Sequence, residues 1–307
     1  MKIAVTGATG LIGTALSGRL HKQGNEILAI TRRKNLSSPY TSYTPHSVVH
    51  WDVERGELDA SALEGIDAVV HLAGETIAER WSAKKKALIR SSRVEGTKLL
   101  VEGLKSLSKR PSVLVSSSAL GFYGNRGDEE LDESAAPGTG YLPEVCQEWE
   151  SEATRAKELG MRVVSMRGGI ALSTKGGALA KMLLPFKLGL GGPLGSGRQW
   201  MSWIHIDDVV GGYHFALHQP EFSGVANLTA PRPARNDEFT KALGRALSRP
   251  AFLPAPGFAL KLAFGEMAQD LLLDGQRVLP RRLEQAGYKF QHPGLDEALQ
   301  DVISARK

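Results

Sequence analysis

The run AVTGATGLIGTAL, residues 4–16, constrains this chain more than any other stretch. A short β-branched apolar run passes straight into Gly7, Gly10 and Gly13 and from there into a helical pattern. Glycines at that spacing let backbone close on a pyrophosphate, and the helix start offers unpaired N–H groups with a favourable dipole. By itself such a motif can be a tight turn; placed between a first strand and a first helix it argues for a dinucleotide site formed by Gly7, Thr9, Gly10, Leu11, Ile12 and Gly13.

The same alternation continues. KIAVTG, EILAITR, DAVVHLAG, SVLVSSSA and RVVSMRGG read as strands buried on both faces, and the stretch from Ala83 to Leu107 keeps helical spacing through Leu88, Val94, Leu99, Leu100 and Leu104. Strand and helix in turn predict an α/β chain with a Rossmann-type doubly wound parallel sheet. After about Leu172 the pattern loosens into STKGG and GLGGPLGSGRQW, then returns with GVANLTA and helices from Asn236 onward. The expected organisation is a dinucleotide-binding domain over residues 1–172, to which parts of 200–230 return. A smaller substrate-side region follows over 173–249, and a terminal helical domain over 250–307, entered through the proline-rich RPAFLPAPGFAL.

Charge decides little. Lys plus Arg exceed Asp plus Glu by 38 to 33, and no nucleic-acid motif accompanies the pI near 9.2. The single cysteine, Cys146, excludes an intrachain disulfide and a cysteine-rich zinc site, and no other metal-ligand set stands out. No apolar run is long enough to span a bilayer. The expectation is a cytoplasmic monomer or homodimer with a small-molecule substrate and no nucleic-acid or membrane partner.

The end of the second strand reads the adenosine ribose. An acid there binds the 2′-hydroxyl, whereas a base accommodates a 2′-phosphate. Thr31, Arg32 and Arg33, followed by Lys34, lie about 20 residues beyond Gly13, and the only nearby acid, Glu26, is at the wrong end of the strand. The expected cofactor is NADP(H); a basic surface turn is the plainer alternative.

With TGATGLIG, WDV at 51–53, HLAG at 71–74, VSSSA at 115–119 and WIHIDDVV at 203–210, the chain resembles the extended short-chain dehydrogenase/reductase superfamily, the NAD-dependent epimerases and dehydratases. GETIAERW, EVCQEWE, GSGRQWMSWIHIDD and FGEMAQDLLLDGQRVLPRRLEQAGYKF make it similar, more narrowly, to epimerase-family proteins with a small C-terminal helical domain. The resemblance implies that Asp52 and Val53 flank the adenine and that Leu72, Ala73 and Gly74 line the ribose and pyrophosphate. It further implies that Arg93 sits on the cofactor side and that Arg167, Gly168, Gly169 and Ile170 approach the nicotinamide. Ser118 takes the place of the hydroxyl that holds the reacting oxygen. Asp52 as a turn cap and the serines as a strand end are the plainer alternatives.

The superfamily's proton chemistry uses a tyrosine and a lysine four residues later, one helical turn on, whose ammonium lowers the phenol's pKa. Here Tyr141 is followed at that spacing by Val145, and a register shifted by one pairs Leu142 with Cys146. Arg93 replaces a frequent asparagine, and Met201 stands where sugar-nucleotide relatives commonly carry an arginine. Tyr141 and Tyr123 are the remaining candidate acids. Trp200 and Trp203, with Arg198, either face a substrate or anchor their loop. His71, within an apolar strand, reads as a hydrogen-bonded core residue.

Two functions follow. One is an NADP(H)-dependent oxidoreductase or epimerase-like enzyme acting on a small carbonyl or hydroxyl compound, with Ser118, Tyr141 or Tyr123 at its centre. The other is a non-catalytic NADP(H)-binding sensor or interaction protein.

Overall fold

A computed structural model describes residues 1–32 and 45–304. Its main sheet contains β1 (Lys2–Thr6), β2 (Glu26–Thr31), β3 (Ser47–Asp52), β4 (Glu57–Leu58), β5 (Ala68–His71), β6 (Val113–Ala119), β7 (Arg162–Gly168) and β8 (Gly224–Leu228). Their spatial order is β8-β7-β6-β5-β1-β2-β3-β4, parallel throughout except for the β3–β4 pair. The chain travels outward from β1 to one side and then returns to build the other side from β5. The β1–β5 boundary is thus the switch point outside which open α/β sheets bind ligands.

Alternation along the strands explains the two layers. Ile3 and Val5 face one side and pack with Leu16 and Leu20 of α1 (Leu11–Lys22). Val209, Tyr213 and Leu217 of a later helix, Ile206–His218, complete that layer. Ala4 faces the other side, with Leu28, Ile30, Val69 and Leu114, beneath Leu100, Val101 and Leu104 of α2 (Ala83–Lys105). Such period-two burial on both faces requires the near-continuous apolar strands read from the sequence.

β3 departs from that pattern. Its burial alternates, with Val49 and Trp51 inside and Val48 and His50 outside, because it lies toward the sheet edge under a two-residue antiparallel partner. It therefore carries no fully apolar run. Beyond the sheet, α3 (Tyr141–Thr154) packs on α2 and β6. A further apolar cluster joins α4 (Gly177–Lys187), a later helix α6 (Asn236–Leu247), which follows α5 (Ile206–His218), and the terminal helix Leu295–Ser304 through Leu179, Phe186, Phe239 and Leu299, with Trp203 of a short strand among them. The segment 249–256 is irregular, and α7 (Gly257–Phe264) follows it.

Candidate functional site

The glycine turn is packed so closely that side chains have no room. Gly7 has φ +64°, and a Cβ there would stand 2.9 Å from the Leu72 carbonyl carbon. A Cβ on Gly13 would stand 2.1 Å from the Gly7 carbonyl oxygen, so α1 can abut the turn only with glycine at that position. Gly10 caps α1 without a side-chain hydrogen bond, and the first turn holds no acid. Leu11 packs beside Gly176 and Gly177, and Ile12 against the core. Thr9 lies in the turn itself. The cradle has the shape and the unopposed N-terminal dipole that a diphosphate requires.

Thr31 ends β2 and Arg32 follows it, exposed, with Nη1 3.7 Å from Glu54 Oε1. Arg33 lies outside the described residues. Asp52 Oδ1 accepts the amides of Glu54 and Arg55 at 3.0 and 3.3 Å, so this carboxylate does cap a turn. Val53 packs near Gly96 of α2.

At the end of β5, Leu72 and Ala73 donate their amides to Thr6 Oγ1 at 3.0 and 3.1 Å. Thr6 is 2.7 Å from His71 Nδ1, and His71 Nε2 is 3.0 Å from Thr97 Oγ1. Thr97 in turn donates to the Arg93 carbonyl, which assigns the imidazole proton to Nε2. Burial, with Arg93 adding to it, pushes His71 down to about 4. His71 is accordingly a neutral core residue that braces the loop over the cradle.

The Arg93 side chain fills the space beneath that loop. Its Cζ lies 3.1 Å from the position a Gly74 Cβ would take, and Nη1 donates to the carbonyls of Glu75 and Ile89 at 3.0 and 3.1 Å. The guanidinium also lies 5.3 Å from the Trp149 ring centre. From there it acts on two groups of α3. Burial pushes the Tyr141 phenol up while Arg93 pulls it down. Burial and the Glu150 carboxylate push the Cys146 thiol up to about 12, against the same pull. Cys146, buried and protonated, is no nucleophile.

The three candidate hydroxyls have different surroundings. Ser118 Oγ donates to Glu150 Oε1 at 2.6 Å, and Arg167 holds that carboxylate. Tyr123 is fully buried; its hydroxyl accepts from Arg167 at 3.0 Å and shares its proton between Asn227 Oδ1 and the Asp132 carbonyl. It braces the interior and has no face toward a cleft. Tyr141 is half-buried and donates to the Lys86 carbonyl at 2.6 Å, with its ring edge-on to Trp81 and the Lys86 ammonium 4.5 Å from the ring centre. Lys86 also pairs with Glu266 at 2.8 Å.

Gly168 ends β7, and the next residues cross to a second short sheet. Gly169 donates to the Leu228 carbonyl and Ile170 to that of Ser202, where Ile170–Leu172 pairs with Trp203–His205. A Cβ on Gly169 would meet the Ser202 oxygen at 2.4 Å. Both tryptophans anchor. Trp203 is buried and donates to the Arg232 carbonyl; Trp200 donates to Asp128, and the guanidiniums of Arg235 and Arg277 lie 4.5 and 4.8 Å from its ring centre. His205 Nδ1 accepts the Asp207 amide at 3.1 Å, so its Nε2 carries a proton and faces Asp301 at 3.2 Å. That proton occupies the lone pair a metal would need, although Asp207, His292 and Asp301 lie close by.

Two residues of this region were not singled out as site residues from the sequence. Glu150 is one helical turn beyond Cys146, and its proximity to Arg167 comes only from the packing of α3 on β7. Lys86 sits in a run of lysines that reads as a solvated face.

Residues 3–228 match the family described as NAD dependent epimerase/dehydratase family. The chain belongs to that family. Residues 255–302 also match a domain of unknown function, DUF1731. An epimerase family protein of Mycobacterium bovis is 43% identical over 298 residues, which cover 97% of this chain and 96% of that one. The chloroplastic SDR39U1 homolog of Arabidopsis thaliana is 42% identical over 308 residues, covering 99% and 87%. Among solved structures, human epimerase family protein SDR39U1 with NADPH matches this family member with a TM-score of 0.88 at 35% identity, covering 99% of both chains. A nucleoside-diphosphate sugar epimerase from Corynebacterium glutamicum matches at 0.78 and 33% identity, covering 99% of this chain and 58% of that one.

Proposed function

We propose that this chain binds NADP(H) and reduces the carbonyl group of a small substrate, with Tyr141 giving the proton and Arg93 steadying the charge left behind. The observation that carries this reading is the position of Arg93 beneath Gly74, where its charge acts on Tyr141 and on Cys146, the residue at the lysine's place in the shifted register. A cation from α2 thus serves the face where the superfamily places a lysine of α3.

The glycine cradle and the start of α1 bind the diphosphate, and Arg32 binds the 2′-phosphate. The human protein crystallised with NADPH, similar over nearly its whole length, supports the same cofactor. Bound NADPH supplies hydride. Tyr141, like any phenol, keeps its proton at neutral pH, and burial raises its pKa further, which suits an acid in reduction better than a base in oxidation. Its present acceptor is a backbone carbonyl, a partner that a substrate carbonyl oxygen can replace. Ser118 orients substrate only after its hydroxyl turns from Glu150. Met201 is buried and receives the Asn236 amide at 3.2 Å, which speaks for a substrate without a nucleotide diphosphate.

Purified protein should consume NADPH with at least one compound of a broad carbonyl panel. Tyr141→Phe should lower kcat by roughly 10²–10⁴-fold while leaving NADPH affinity unchanged. A second reading, a non-catalytic NADP(H) sensor, is favoured by the intramolecular partners that all three hydroxyls already have. Tight NADPH binding without consumption across the panel would decide for it.

A further inference from the structure

Ten large apolar side chains stand exposed among the described residues, and eight of them fall on two segments, 184–190 and 252–264. Phe252, Phe258 and Leu262 are 71%, 77% and 79% exposed. Backbone bonds hold the segments that follow and precede these side chains together: Leu253 donates to the Gly191 carbonyl, Ala255 to that of Pro193, and Gly195 to that of Ala255. The Arg249 guanidinium also closes on the Lys187 carbonyl at 3.1 Å. The end of α4 and the whole of α7, none of whose residues is buried, therefore adjoin on one side of the molecule.

The charge within the two stretches that carry them has one sign, and Glu266, just beyond the second, is paired with Lys86. Residues 173–206 and 239–265 contain eight Lys or Arg and no Asp or Glu. Phe252 shares a groove with Lys241, Arg245 and Arg249, and Phe258 shares another with Lys261. Asp237 and Asp296, from flanking sequence, pair with Lys241 and Arg245 and leave Lys187, Arg249 and Lys261 to set the sign. From this combination we infer that α4 and α7 form a peripheral docking face for an anionic lipid surface. Exposed leucine and phenylalanine side chains enter the headgroup boundary, and the lysines and arginines beside them meet the lipid phosphates. A second copy of this chain fits the face poorly, since a two-fold contact would bring the same cations together. No helix among the described residues is long and apolar enough to cross a membrane, so attachment is to the surface.

The test is co-sedimentation of the full chain with vesicles of pure phosphatidylcholine and of phosphatidylcholine mixed with phosphatidylglycerol, at low and at physiological salt. Binding should require phosphatidylglycerol and weaken as salt rises. Lys187→Glu/Lys261→Glu should lower the partition coefficient at least fivefold for each charge, roughly the effect of one basic residue at an anionic surface. Phe258→Ser/Leu262→Ser should lower it about tenfold or more. Unchanged NADPH affinity in both variants keeps a folding defect from imitating the result. Three outcomes would overturn the inference: no binding to either vesicle, equal binding to both, or a dimer without vesicles that Phe258→Ser/Leu262→Ser dissolves.

Discussion

Arg167 grips Glu150 with two parallel bonds, Nε to Oε1 and Nη2 to Oε2, both 2.8 Å, and the two side chains are only 4% and 11% exposed. The guanidinium also lies 3.3 Å from the Phe122 ring centre and donates to Tyr123. One pair thereby fixes α3 against β7 and holds the acceptor of the Ser118 proton. Glu150→Ala strands a buried guanidinium and should cost about 3–5 kcal/mol of stability. Urea denaturation checks this; a loss below about 1 kcal/mol would show that water or a neighbour satisfies Arg167.

His71 sets a pH dependence. Its folded pKa of about 4 lies below the ordinary 6.5, so its contribution is complete above about 6.5 and is lost as pH falls toward 4, where the unfolded chain takes up the proton first. The difference corresponds to about 3 kcal/mol. His71→Asn removes the titration, and its stability should fall by that much less between pH 6.5 and pH 4. Parallel stability–pH curves for variant and parent would contradict the assignment.

Gly13→Ala tests the cradle. A methyl group 2.1 Å from the Gly7 oxygen must push α1 off the turn. The expected result is loss of NADPH binding together with about 1–3 kcal/mol of stability, the usual cost of overpacking. Calorimetric titration and thermal unfolding on the same variant give both numbers.

What could be read from the chain, and what could not, follows physical lines. The inner strands declare themselves because burial on two faces demands unbroken apolar runs, and the glycine spacing because no other residue fits at Gly7 and Gly13. β3 hides because a strand with one face toward solvent needs only Val49 and Trp51 inside. Tyr123 stands at a plausible place in the sequence, yet its hydroxyl is taken by Asn227, 104 residues away, and Arg167. Such pairings carry no local signal. The absence of a lysine after Tyr141 is plain in the sequence; that Arg93 reaches the same face depends on the packing of α2 against α3.

The most direct test of NADP(H) binding is a calorimetric comparison of NADPH and NADH at physiological salt. NADPH should bind roughly tenfold or more tightly, since a charge-assisted bond contributes about 1.5–3 kcal/mol, and Arg32→Ala should narrow the gap. Equal dissociation constants in the parent protein would contradict the account.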